Sequence, residues 1–173
     1  VTELVTGVDL VEWQFRVAQG DALPLAQAEL GPRGHAIEVR LCVESPERDF
    51  LPDTGSIALW RTPTGTVEFD VAHTLTDGGV RVDAGIASEG EISPHYDSMV
   101  AKLISVGATR QKALDRMHRA LGEYIIRGIH TTIPVCRAIM KDPAFRQGGA
   151  TTKYLEDFFE RTPKELWSAA PLT

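Results

Sequence analysis

Ten residues, His35 to Glu44, carry the tightest constraint in this 173-residue chain. Ile37, Val39, Leu41 and Val43 take every second place, and Ala36, Glu38, Arg40, Cys42 and Glu44 fill the places between. Strand side chains point alternately to opposite faces, so the run predicts a β-strand with one apolar and one polar face. The apolar set goes to a core. Arg40 sits in the middle of the polar face, between Glu38 and Cys42. Two readings of that cation stand side by side. One is a cross-strand ion pair worth about 0.2–1 kcal/mol. The other is a fixed guanidinium that binds an anion or a developing oxyanion.

The rest of the chain supplies partners for such a strand. Residues 6 to 20 read as a helix, with Thr6 and Asp9 as candidate caps and Gly20 as its stop. Its apolar groups, Leu10, Trp13 and Phe15 among them, form no single stripe. Pro24, Gly31, Pro32 and Gly34 then mark a boundary. Further strands are expected at Ser56 to Arg61, Thr66 to Val71, Val80 to Val82, Ile92 and Met99 to Val106. Pro63-Thr64-Gly65 suggests a hairpin between the first two of these. A helix capped by Thr109 is expected from Arg110 to Arg127, because Leu114, Met117, Leu121, Tyr124 and Ile125 recur at spacings of three and four. Gly128 would stop it. A helix from Thr132 to Lys141, ended by Pro143, and another from Lys153 to Glu160 complete the reading. The fold class is α+β, an antiparallel sheet with packed helices.

Chemistry is sparse by comparison. The net charge of −6 and the absence of a basic stripe argue against nucleic acid as a partner. No apolar run approaches the roughly 18 residues of a membrane span. Cys42 and Cys136 are far apart and form no C-x-x-C pair, so no metal site is expected from them. Low cysteine usage fits a reducing, cytoplasmic compartment. The sequence holds no phosphate-cradling glycine loop of the G-x-x-x-x-G-K-[ST] or G-x-G-x-x-G kind. His35, His73, His95, His118 and His130 lack ligand spacing. The carboxylate pairs Glu89/Glu91 and Glu156/Asp157 read as exposed.

Several ordered motifs then make a family visible. Val1-Thr2-Glu3 with Thr6-Gly7-Val8-Asp9-Leu10 opens the series, followed by Arg33-Gly34-His35-Ala36-Ile37-Glu38-Val39-Arg40. Phe50-Leu51-Pro52 with Gly55, then Tyr96-Asp97-Ser98-Met99 with Lys102-Leu103-Ile104, come next. Arg127-Gly128 with Thr131-Thr132 closes it, Thr132 standing where asparagine is usual. From Val1 to about Phe158 the chain resembles the C-terminal part of a biotin carboxylase.

The resemblance implies a β-rich C-terminal domain of the rudimentary single-hybrid type and an enzyme that carboxylates biotin with ATP, magnesium and bicarbonate. Arg40 falls where the family's arginine contacts the biotin ureido oxygen and steadies its developing negative charge. Glu38 and Asp97 are the residues expected to support it, Asp97 as a turn or ion-pair residue before any direct contact. The family's ATP, metal and bicarbonate residues precede the point matched by Val1, so this chain on its own is expected to be inactive. Residues 1–30 resemble the tail of an ATP-grasp module with a linker, 31–161 the C-terminal domain, and 162–173 a tail. The implied partners are the N-terminal ATP-grasp half, a biotin carboxyl carrier domain or protein, a carboxyltransferase and a second copy of the chain. A non-catalytic scaffold or dimerisation module is the competing expectation. Acetyl-CoA, propionyl-CoA, methylcrotonyl-CoA and pyruvate carboxylases share this domain, so the acceptor is left open.

Overall fold

A computed structural model describes residues 1–68, 78–86 and 90–168. The expected strand positions Phe69 and Val71, together with His73 and Glu89, lie outside the described residues. In chain order the elements are α1 (Thr2–Thr6), α2 (Leu10–Ala18), β1 (His35–Cys42), β2 (Glu44–Ser45), β3 (Leu51–Pro52), β4 (Gly55–Ser56) and β5 (Leu59–Arg61). Then follow β6 (Thr66–Glu68), β7 (Gly79–Ala84), β8 (Glu91–Ile92), β9 (Met99–Gly107), α3 (Arg110–Glu123) and β10 (Ile125–Arg127). Three helices, α4 (Ile133–Ile139), α5 (Pro143–Gln147) and α6 (Tyr154–Arg161), end the series.

The main sheet has the order β1-β9-β7-β6, antiparallel except for the β6–β7 pair. The fold is therefore the α+β class expected. Ile37, Val39 and Leu41 are buried as the alternation requires, and Val43 continues the set beyond the strand. Helix α3 lies on that face against β9 and β1. It buries Leu114, Met117 and Leu121 on one side, the stripe read from its spacing. The strand beneath is cut to fit. Ala101, Leu103, Ser105 and Gly107 face the helix side of β9, since they pair with the core-facing residues of β1 and with His35 at its start. A methyl group on Gly107 would stand 2.7 Å from the Ala113 amide nitrogen, so only glycine admits the first turn of α3 there. Ser105 is fully buried, and its hydroxyl donates to the Ala113 carbonyl at 2.9 Å. That bond offsets the cost of burying the hydroxyl.

Thr109 caps α3 by accepting the Lys112 amide, as expected. The helix nevertheless ends at Glu123 and not at Arg127. Ile125 to Arg127 pair with β5 instead, and Trp60 meets Tyr124 edge-on at 5.4 Å. Tertiary pairing overrides the helical period here. Gly128 consequently stops no helix. Its backbone has φ +99°, and a Cβ there would lie 2.4 Å from the Ser56 carbonyl oxygen.

Other local expectations also change. The helix expected over 6–20 is only Leu10–Ala18, and a separate α1 precedes it: Gly7, at φ +73°, caps the end of α1, and Asp9 caps α2 by accepting the Glu12 amide. Thr6 is not a cap; its hydroxyl donates back to the Thr2 carbonyl. The single strand expected at Ser56 to Arg61 is split into β4, which pairs with β8, and β5, which pairs with β10. The hairpin around Pro63 is absent, because β5 and β6 belong to different sheets. The turn chemistry redirects the chain between sheets. Pro143 opens α5 behind its Asp142 cap, a position where proline costs no helical hydrogen bond.

Two carboxylates fasten the outer layer. Asp142 accepts the Phe145 amide and pairs with Arg161 at 2.6 Å, while the Arg161 guanidinium lies over the Tyr154 and Phe158 rings. The Arg161 hydrogen bond holds the Asp142 carboxyl below its ordinary range, against the opposing effect of burial. For Asp53 burial acts upward, but the amide and ring of His130, both donating to Oδ2, carry the carboxyl below its ordinary value. Groups depressed in the folded state bind protons more readily once unfolded, so their contribution is present above the ordinary carboxylate pKa of about 4. It disappears as pH falls through the lower folded values. Thermal midpoints measured from pH 6 down to pH 2 should therefore fall steeply below about pH 4. The Asp142→Asn variant should show a shallower acid limb; an unchanged limb would count against this ion pair.

Candidate active site

Arg40 projects from the middle of β1, on the sheet face opposite α3. Its side chain is 70% exposed. The nearest acid, Glu38, lies two residues back on the same strand, and Glu38 Oε1 is 3.9 Å from Arg40 Nε. A pair so long and so wet holds the guanidinium only weakly. The cation is therefore presented to its surroundings and not spent on an internal partner.

Strand register decides what stands beside it. Arg40 is directly opposite Lys102 of β9, and Lys102 is opposite Asp83 of β7. A bulge between Leu41 and Cys42 then brings Cys42 opposite Met99. Beyond the bulge, the Ser98 hydroxyl donates to Glu44 at 2.5 Å, and the Val43 amide donates to the Ser98 carbonyl at 2.8 Å. Asp97 is exposed, and its Oδ1 accepts the Met99 amide at 2.8 Å, closing the turn that feeds β9. Asp97 and Arg40 both lie close enough to influence Cys42. Burial, with Glu44, raises the Cys42 thiol above its ordinary value; Ser98 opposes this, Asp97 adds to it and Arg40 opposes it. Burial also pushes the Cys136 thiol up to about 12. Both cysteines therefore stay protonated near neutrality, which makes them poor nucleophiles.

An open cleft of about 600 Å³ lies along β7, β8 and β9, lined by Asp83, Glu91, Tyr96, Asp97, Met99 and Lys102 among others. Lys102 is half-buried in its wall, and Tyr96 is 85% exposed at its mouth. The fold thus brings together Arg40 and Glu38 on β1 and sets Lys102 opposite Arg40, while Asp97 lies in the turn before β9 and lines the cleft with Lys102. Lys102 is the addition: its motif is visible in the sequence, but its place beside Arg40 depends on strand register. The histidines stay dispersed. His35 and His95 are exposed, His130 serves Asp53, and burial with nearby Lys141 lowers the His118 pKa. Glu156 and Asp157 are exposed on α6. Among the described residues no three His, Cys, Asp or Glu side chains converge to hold a metal ion, and no helix is long and apolar enough to cross a membrane.

Comparison with known proteins gives a consistent set. Residues 38–157 match the family described as biotin carboxylase C-terminal domain. A pyruvate carboxylase polypeptide of Methanothermobacter thermautotrophicus is 47% identical over 158 residues, 91% of this chain and 30% of that protein. Biotin carboxylase of Nostoc sp. is 42% identical over 91% of this chain and 32% of its own length. Among solved structures, the biotin carboxylase domain dimer of Hydrogenobacter thermophilus 2-oxoglutarate carboxylase, bound to MgADP, ADP and bicarbonate, superposes with a TM-score of 0.82. It is 39% identical and covers 98% of this chain and 34% of its own. The chain spans about a third of the length of the relatives it matches.

Proposed function

Since the chain belongs to the biotin carboxylase C-terminal domain family, we propose that it forms the biotin-facing wall of a biotin carboxylase, with Arg40 as the residue that meets the ureido oxygen. The observation that carries this reading is the guanidinium itself: central on a rigid strand, exposed, and only loosely paired. Ureido nitrogen becomes nucleophilic when it loses its proton, and negative charge then collects on the ureido oxygen. A guanidinium never loses its own proton near neutrality, and its donors are fixed in a plane. Arg40 can therefore stabilise that charge without a proton transfer of its own. Glu38, on the same strand face, supplies a weak counter-charge to Arg40, and Asp97 fixes the turn that leads into β9.

ATP, magnesium and bicarbonate are handled, on this reading, by an N-terminal ATP-grasp half. The chain divides as 1–30 for the end of that half with a linker, 31–161 for the C-terminal domain, and 162–173 for a tail. The exposed Leu10, Val11 and Phe15 of α2 offer an apolar surface on which the other half would rest. The further partners are a biotin carboxyl carrier, a carboxyltransferase and a second copy, working in the cytoplasm. Support for pairing with a second copy comes from the dimeric 2-oxoglutarate carboxylase domain, which the chain matches along nearly its whole length.

Calorimetric titration of the isolated chain with ATP and magnesium tests the division of labour. No binding heat is expected at millimolar nucleotide. Saturable nucleotide binding by this chain alone would overturn the assignment of ATP to the other half.

A further inference from the structure

The β1–β9–β7 register sets three charged residues in one row, Arg40 opposite Lys102 and Lys102 opposite Asp83. Directly opposed residues of an antiparallel pair share a face, with Cβ atoms roughly 5 Å apart. Arg40 and Lys102 are thus like charges at opposed positions, an arrangement that costs sheet stability. The nearby acids do not cancel it. Arg81 engages both oxygens of Asp83, at 2.9 and 3.0 Å. Glu38 reaches Arg40 only at 3.9 Å. Among the described residues the Lys102 ammonium has neither a hydrogen bond nor an ion pair. Lys102 also lines the cleft, whose floor continues through Val100 and Ala101. Two cations kept side by side on one sheet face against their own repulsion, with Lys102 also in the wall of the cleft, are poised for an anion with more than one oxygen.

From this row we infer that Arg40 and Lys102 form a two-cation cradle for a group bearing a carboxylate beside a polarised carbonyl oxygen. Resting on the function proposed above, that group is the N-carboxylated urea. Arg40 takes the ureido oxygen, and Lys102 takes the carboxylate newly bonded to the neighbouring nitrogen. The two side chains suit these tasks. A planar guanidinium orients on a fixed oxygen, while an ammonium on a flexible stem follows a carboxylate as it arrives. Biotin before carboxylation offers only the ureido oxygen, so Lys102 acts late in the reaction and contributes little to binding biotin itself.

The test uses the full-length enzyme with its upstream half. Lys102→Met, Lys102→Arg and Arg40→Ala are compared for biotin-stimulated, bicarbonate-dependent ATP hydrolysis and for thermal midpoint. Lys102→Met should lower kcat by about ten- to a hundredfold and leave the KM for biotin within about twofold. Lys102→Arg, which keeps the charge, should recover most of the loss. The midpoint of Lys102→Met should hold or rise, because an opposed like charge has been removed. A lysine with a merely structural role predicts a lower midpoint and no separation of kcat from KM. A wild-type kcat in Lys102→Met, beside a crippled Arg40→Ala, overturns the cradle while sparing the role of Arg40. A full rate in Arg40→Ala overturns the site assignment, and the cradle with it.

Discussion

Arg40→Ala in the full-length enzyme is expected to lose about a hundred- to a thousandfold of the biotin-stimulated rate while folding normally. The two halves of that expectation have separate causes. Stability is spared because the side chain is 70% exposed and its pair with Glu38 is long, so little is lost on removing it. Surface changes of this kind shift stability by less than about 0.5 kcal/mol. On the proposed assignment, rate is lost because the charge on the ureido oxygen grows toward the transition state, and a permanently charged guanidinium carried on the strand stabilises it. Arg40→Lys should recover only part of the rate, since an ammonium cannot present a planar pair of donors. Steady-state phosphate release with and without biotin, together with a thermal melt, checks both halves. A variant that loses rate only because its midpoint has collapsed would contradict the assignment.

Leu114→Ala should be the corresponding extreme for stability. Leu114 is completely buried on α3, over a sheet face that includes Leu41 and Leu103, both also at 0% exposure. Cutting back a leucine at such a site removes its transfer energy and leaves a cavity, together about 3–4 kcal/mol. For a chain of this size, that corresponds to a thermal midpoint lower by roughly 10 °C. Leu51→Ala serves as the control, because Leu51 is 58% exposed and should change stability by less than about 0.5 kcal/mol. Chemical denaturation of both variants measures the difference. Equal stability losses would mean that the α3–sheet interface is not the main core.

The residues that made this much legible are those whose period is local. Ile37, Val39 and Leu41 declare a strand face, and Leu114, Met117 and Leu121 declare a helix stripe, without reference to anything distant. Thr109 before α3 is equally local, since a cap is settled within three residues. What escaped depended on partners far along the chain. Ile125 continues the α3 spacing, yet its backbone finds Arg61 and becomes a strand. Pro63-Thr64-Gly65 has the chemistry of a hairpin turn, but pairing to β7 and β10 takes its two sides apart. Arg40 could be singled out as an isolated cation on a polar strand face. Lys102 could not be set beside it, because the offset between β1 and β9, 62 residues apart at these positions, is fixed by packing and not by local pattern. The link between Asp53 and His130, 77 residues apart, was hidden for the same reason.

The central claim is that this chain supplies the biotin-facing wall and that ATP chemistry comes from elsewhere. Mixing it with a separately produced N-terminal ATP-grasp half measures that directly. The quantity to follow is bicarbonate-dependent ATP hydrolysis stimulated by free biotin, as a function of added chain. The account predicts no hydrolysis by the chain alone, a biotin-stimulated rate that rises and saturates as the chain is added to the other half, and no such rise with Arg40→Ala. ATP hydrolysis by the isolated chain, or a biotin-stimulated rate in the ATP-grasp half that is indifferent to the chain, would contradict it.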